Sequence, residues 1–231
     1  MSTSSTPPSD RERPIEAPPT GLPPRFELDH DFTEALAHIA SIRTRRRLER
    51  DPVYRGIKPQ LERVLRGFEW DLEPTLGTSL QPRRPGLVRV AAWNVERGKR
   101  FAGLRHALTC DPILREADLL LLTEVDIGMG RSQNLNVPRE LAAALGMGYV
   151  FANYHIVLAE GDRGERGHGV PNTKAMHGCA LLTRFPVLRF GRWTCRSART
   201  SSTRRPTSLM GAQPWWARSR WSDPPTSPSL A

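Results

Sequence analysis

Three short apolar runs stand next to side chains that can do chemistry. Val90-Ala91-Ala92-Trp93 leads into Asn94, Leu119-Leu120-Leu121-Leu122 leads through Thr123 into Glu124, and His177-Gly178 precedes Cys179-Ala180-Leu181-Leu182. Each run has the length of a buried strand, and a polar group at its end sits where the strand emerges. Glu124 is placed either as a structural acid or as an oxygen ligand for a hard divalent cation, which takes carboxylates. Asn94 either caps a turn or supports a neighbouring site. His177 is able to donate to a phosphate oxygen, and equally to form an ordinary hydrogen bond at a loop end. Arg97 could face a phosphate, but it reads better as a surface arginine. The chemistry such groups suit is metal-assisted phosphoester hydrolysis. That reaction needs a carboxylate on the metal, donors on the non-bridging oxygens, a base that orients water, and an acid or metal for the leaving oxygen.

The surrounding sequence supplies the elements. Asp29 or Asp31 offers a helix N-cap, and Phe32, Leu36, Ile39 and Ala40 recur at helical spacing, predicting one helix to about Arg50. Its basic end, with Arg43, Arg45, Arg46 and Arg47, suits a helix C-terminus electrostatically. A second helix is expected over 59–67, then a Pro/Gly/Thr linker over 72–86. Strands are expected over 87–94, 118–124 (buried on both faces), 149–156 and 179–183. Between them fall a helix over 103–116, broken at Asp111-Pro112, and one over 139–145 with Pro138 at its start and Gly146 as its stop. The glycine-dense loop 161–171 has no phosphate-loop spacing and no strand-turn-helix frame.

In order and spacing, Val90–Glu96, Leu119–Asp126 and Met176–Pro186 together resemble the endonuclease/exonuclease/phosphatase family, metal-dependent phosphodiesterases and phosphatases. The resemblance covers 87–190, under half of the chain, and corresponds to the N-terminal half of that domain. It implies that Glu124 binds Mg2+ (or Mn2+) and that Asn94 supports the metal and the catalytic groups. The stretch Arg131-Ser132 through Glu140-Leu141-Ala142 is similar to bacterial members, which makes Arg131 a candidate phosphate contact. His177 stands where some nuclease members carry a Tyr near the scissile phosphate, and Cys179 stands where many have Asn. The family's later motifs, Asp-x-Asn, Gly-Asp-x-Asn and Ser-Asp-His, have no counterpart after Phe190.

That last segment differs in kind. Residues 191–231 hold no His and no Asn, a single Asp (Asp223), and four of the chain's six tryptophans. Their seven arginines against Asp223 contribute +6 of the net charge of +10, so the basicity belongs mostly to the tail and says little about a domain's partner. No period of 2 or 3.6 runs through it. One permitted back-translation of 215–221, shifted in frame, reads Val-Gly-Glu-Val-Glu-Val, an alternating strand, so out-of-frame or degenerate sequence is the favoured reading of this tail.

The three cysteines, Cys110, Cys179 and Cys195, are widely spaced and form neither a disulfide framework nor a metal cluster. They indicate a reducing compartment. No run approaches the roughly 18 apolar residues of a membrane-spanning helix, and the Ser/Thr/Pro-rich start lacks the apolar segment of a signal peptide. A cytoplasmic protein is expected.

The organisation expected is a disordered leader (1–24), a helical extension (25–72), a partial endonuclease/exonuclease/phosphatase domain (87–190) and a low-complexity basic tail (191–231). The fold class is α+β, the first half of a two-sheet α/β sandwich with outer helices. The function expected is that of a truncated phosphoester hydrolase, inactive as it stands. Its substrate would be nucleic acid, a phospholipid head group or a small phosphoester. The rival reading is a non-catalytic binding protein that uses its basic tail on an acidic partner.

Overall fold

The computed structural model describes residues 23–75, 81–158, 160–161 and 169–191, with the backbone of 208–210. All of the expected leader but Pro23 and Pro24, most of the glycine-dense loop and nearly all of the basic tail lie outside the described residues, and the carbonyls of Pro23 and Pro24 accept from Trp70 Nε1 and the Leu72 N–H. The first part of the chain gives β1 (Arg25–Phe26), α1 (Thr33–Ala40), α2 (Arg45–Leu48), α3 (Pro52–Leu65) and β2 (Phe68–Asp71). Then come β3 (Val90–Arg97), α4 (Phe101–Cys110), β4 (Leu119–Ile127) and α5 (Val137–Leu145). β5 (Gly148–Val157), β6 (Met176–Thr183) and β7 (Ser208–Met210) complete the order.

The strands form one mixed sheet, ordered β1-β2-β5-β6-β4-β3, with β7 beside β5. Among the described residues only β3 and β4 pair in parallel; the other pairings are antiparallel. The fold is thus of the mixed α and β kind expected, with a single sheet among the described residues. Helices cover one face. Leu120, Leu122 and Val125 of β4, Phe151 and Ile156 of β5, and Ala180 and Leu182 of β6 form one core with Leu36, Ile39, Leu61, Val64, Leu104, Leu108 and Leu141. Burying side chains of this size contributes about 1.5–3 kcal/mol each.

The opposite face carries a smaller cluster of Trp70, Leu72 and Val150, packed by Phe68, Val187 and Phe190. Ala152 and Cys179 on the same face are buried too, and the covering thins toward β4 and β3. Leu119 and Leu121 are half-buried and Val90 is exposed, so β4 is not the strand buried on both faces that its four leucines suggest. Their period of two separates Leu120 and Leu122, on the helix side, from Leu119 and Leu121.

The first 50 described residues depart most from expectation. Instead of one helix reaching Arg50, α1 stops at Ala40, and α2 starts after Thr44, whose hydroxyl accepts from the Arg47 N–H at 3.3 Å. Asp51-Pro52, taken as a stop, is the start of α3. The Asp51 carboxylate accepts from the Tyr54 N–H at 2.9 Å, and Pro52 takes a first-turn position where its missing donor costs nothing. α3 therefore begins seven residues before the expected 59 and contains Pro59. The helices of 25–72 are not a separate extension, since their apolar stripes share the main core and β1 and β2 belong to the main sheet. A buried stripe needs a surface to cover, and the sheet is the one available. No helix among the described residues is long and apolar enough to cross a membrane.

α5 follows its sequence signals closely. The Asn136 side chain accepts from the Arg139 N–H at 3.2 Å, and Gly146 ends the helix at φ 61°, in the left-handed region.

Candidate active site

The site forms where β3 and β4 lose their regular register. Pairing runs evenly from Val90 opposite Leu119 to Asn94 opposite Thr123, then shifts so that Arg97 faces Val125. The β4–β6 register also breaks between Leu122 and Val125. Glu124 therefore lies on a bulge inside β4, which continues to Ile127, and not at the strand end its sequence suggested. A bulge inserts one unpaired residue and re-aims its side chain.

Both strands are distorted at this place. Glu124, Glu96 and Arg97 take φ of 52°, 48° and 70°. A non-glycine residue in that region costs about 1–2 kcal/mol, and such residues gather at functional sites, held by their surroundings. The Asn94 amide nitrogen donates to Glu124 Oε1 at 2.9 Å, while Asn94 Oδ1 accepts from the Glu96 N–H at 3.0 Å. The amide is thus fixed at both ends, so the Asn94 oxygen is turned to the backbone and its nitrogen to the carboxylate. Arg97 Nε lies 4.0 Å from Glu124 Oε2, with 36% of the Glu124 side chain exposed.

A second group is built two residues further along β4. Asp126, fully buried, accepts from Arg131 Nε at 2.7 Å and Nη2 at 2.9 Å. His177 Nδ1 is 2.7 Å from the same carboxylate. Arg131 Nη2 also lies 3.5 Å from the same His177 nitrogen, so one arginine fork spans the carboxylate and the ring. The side chain is 9% exposed, and His177 lies within β6, which starts at Met176 and not at Cys179 as expected. Gly178 is required here, because a Cβ would press into the Ala152 carbonyl and lie 2.7 Å from the Phe151 ring. Arg131, expected to meet phosphate, has only 4% of its side chain exposed, with its fork closed on Asp126.

His155 stacks parallel to His177, with ring centroids 5.7 Å apart, and Tyr154 meets His177 edge-on. His155 Nε2 is buried without a hydrogen-bond partner, and burial, assisted by His177 and Arg131, pushes its pKa down to about 4. Cys179 hydrogen-bonds Tyr154 and the Glu124 backbone, and burial pushes its thiol up to about 12. Burial likewise raises the Tyr154 hydroxyl. Of these residues, sequence reasoning singled out Asn94, Glu124, Arg131 and His177, and the structure sets them in two separate groups, Asn94 with Glu124 and Arg131 with His177 around Asp126. It missed Asp126, Tyr154 and His155, whose roles depend on the register that sets Asp126 opposite His177 and His155 opposite His177.

Among the described residues no three His, Cys, Asp or Glu side chains converge as a ligand set. Magnesium asks for less: one or two carboxylates, with water and phosphate oxygens completing the shell. The half-exposed Glu124 carboxylate fits that demand. Asn94, with its oxygen engaged by Glu96, fits the role of holding Glu124 better than that of a ligand. No protein-family model, curated protein or solved structure matches this chain.

Proposed function

We propose that this chain carries the first half of the site of a magnesium-dependent phosphoester hydrolase of the endonuclease/exonuclease/phosphatase family, and that it binds metal and ester without turning the ester over. Manganese would serve in place of magnesium. The observation that supports this most is the hydrogen bond from Asn94 to Glu124, between two residues 30 positions apart that the sequence marks independently. It lies where the backbone of both strands is distorted. In this reading Glu124 holds the ion and Asn94 orients Glu124. Asp126 holds the His177 ring in place through Nδ1. A bound divalent ion would neutralise charge on the phosphoryl oxygens.

Turnover also needs a placed base and a donor where charge develops. Loss of one such group commonly costs a factor of about 10² to 10³, and residues 191–231 hold neither His nor Asn to supply one. The substrate class is a phosphoester, whether nucleic acid, phospholipid head group or small molecule. The reading sets the protein in the cytoplasm, in keeping with the free Cys110 and Cys179.

The test uses bis-p-nitrophenyl phosphate with magnesium, both as ligand and as substrate. Expected is magnesium-dependent binding of the diester, lost in Glu124→Gln, with hydrolysis no faster than in that variant. Turnover that disappears in Glu124→Gln would overturn the half-site. Absence of magnesium-dependent binding in both proteins would overturn the phosphoester reading itself.

A further inference from the structure

We propose that a cleft at the start of β3 binds a small anionic amphiphile, an alkyl chain ending in a carboxylate or phosphate, and that Arg84 holds its charged end. The cleft has a volume of about 420 Å³, within the roughly 300–1,000 Å³ of small-ligand sites. Among the described residues its apolar lining comes from Val90 and Ala91 of β3 and from Pro112, Ile113, Leu114 and Ala117, which follow α4. The two polar side chains on it are Arg84 and Arg89. Val90 lies four residues before Asn94 on β3, about 13 Å along the strand at 3.3 Å per residue. The cleft is therefore separate from the Glu124 site and does not rest on the reading of that site.

Both segments that line it are held in place. Asp118, 1% exposed, fixes the loop that carries the arginines: its carboxylate accepts from the Arg83 N–H at 3.1 Å and the Arg89 N–H at 2.9 Å. Between them the Leu87 N–H donates to the Arg84 carbonyl at 3.0 Å, with Gly86 at φ 74° in the turn. After α4, Asp111 accepts from the Ile113 and Leu114 N–H groups, each at 2.9 Å. These two carboxylates are engaged by backbone donors. Glu116 meets Arg83 at 3.3 Å and Arg115 at 3.9 Å, and stands 4.0 Å from Arg89, outside hydrogen-bond reach. Among the described residues the Arg84 guanidinium has neither a hydrogen bond nor an ion pair.

The apolar part is uncovered as well. Val90 is 55% and Ile113 75% exposed, though both are large aliphatic side chains lining the cleft. An unpaired guanidinium beside open aliphatic surface complements an amphiphilic anion. Its planar fork takes two oxygens of one carboxylate or phosphoryl group, and the chain removes the apolar lining from water.

The test is calorimetry with alkyl carboxylates below their micelle concentrations. Affinity should rise from hexanoate through octanoate to decanoate by about fourfold per buried methylene. Arg84→Gln should weaken decanoate binding about tenfold or more, as expected for a lost charge-assisted bond. Ile113→Asp should weaken it too, by removing apolar cover and adding a repelling charge. Both changes are at exposed positions, so the fold should survive them, and Glu124→Gln should bind decanoate as the unaltered chain does. Absence of decanoate binding, or equal affinity in Arg84→Gln, would overturn the proposal. Equal affinity for hexanoate and decanoate would overturn it as well, by leaving an anion site with no place for a chain. Phosphatidylserine vesicles distinguish a free amphiphile from a bilayer. Arg84-dependent sedimentation with the vesicles, by a chain that binds no decanoate, would replace the cleft ligand with a membrane surface.

Discussion

Replacing Asp126 by Asn should be among the most destabilising single changes in the protein. Asp126 is fully buried, and Arg131 beside it has 4% of its side chain exposed, so solvent does not screen the pair. The carboxylate takes two bonds from Arg131, at 2.7 and 2.9 Å, and one from His177 at 2.7 Å. An amide of the same shape has one oxygen to offer these donors and no charge to offset the guanidinium. Breaking a buried pair by neutralising one partner costs about 3–5 kcal/mol, a large share of the 5–15 kcal/mol by which a typical domain is stable. Urea unfolding of Asp126→Asn, followed by tryptophan fluorescence, should show this as a lower midpoint. Combining it with Arg131→Met removes the stranded charge and should recover most of the loss, because apolar groups of similar volume replace buried pairs at little cost. A loss under about 1 kcal/mol in the single variant, or a double variant no better than the single, would refute the argument.

Further consequences concern His155 and the cysteines. The folded pKa of His155, about 4, lies below its ordinary 6.5, so the unfolded chain binds the extra proton between these values. Its contribution is complete above pH 6.5 and is lost as pH falls toward 4. His155→Phe should therefore show a flatter stability profile than the parent in that window, and parallel profiles would show that burial does not govern this ring. With Cys195 changed to Ser, a thiol reagent at pH 8 should label exposed Cys110 in the folded protein and Cys179 only on unfolding. A thiol raised to about 12 is ionised to roughly one part in 10⁴ at that pH, and is out of reach besides. Equal labelling rates would contradict the packing of Cys179 against Tyr154.

Much of this was legible in the sequence where a local signal acts alone. The mixed class, the α5 start beside Pro138 and stop at Gly146, and the polar groups after the apolar runs all follow from nearest-neighbour rules. Asp51-Pro52 was legible in principle but ambiguous, since the pair ends one helix as readily as it begins another. What escaped needs strand pairing. Nothing local to Glu124 announces that β4 bulges there, or that Glu96 and Arg97 accept left-handed backbone at a cost glycine would avoid. The partnership of Asp126 with His177, 51 residues apart, is fixed only once β4 and β6 are in register. The same holds for β2, paired with β5, and for β1, paired with β2, which tie residues 25–72 to the main sheet.

The central claim is that Glu124 holds a divalent cation, and calorimetric titration of magnesium into the unaltered chain and into Glu124→Gln tests it most directly. The account predicts weak, saturable binding that disappears in Glu124→Gln, because this carboxylate is the one full negative charge it assigns to the ion. Equal magnesium affinity in the two proteins would contradict it.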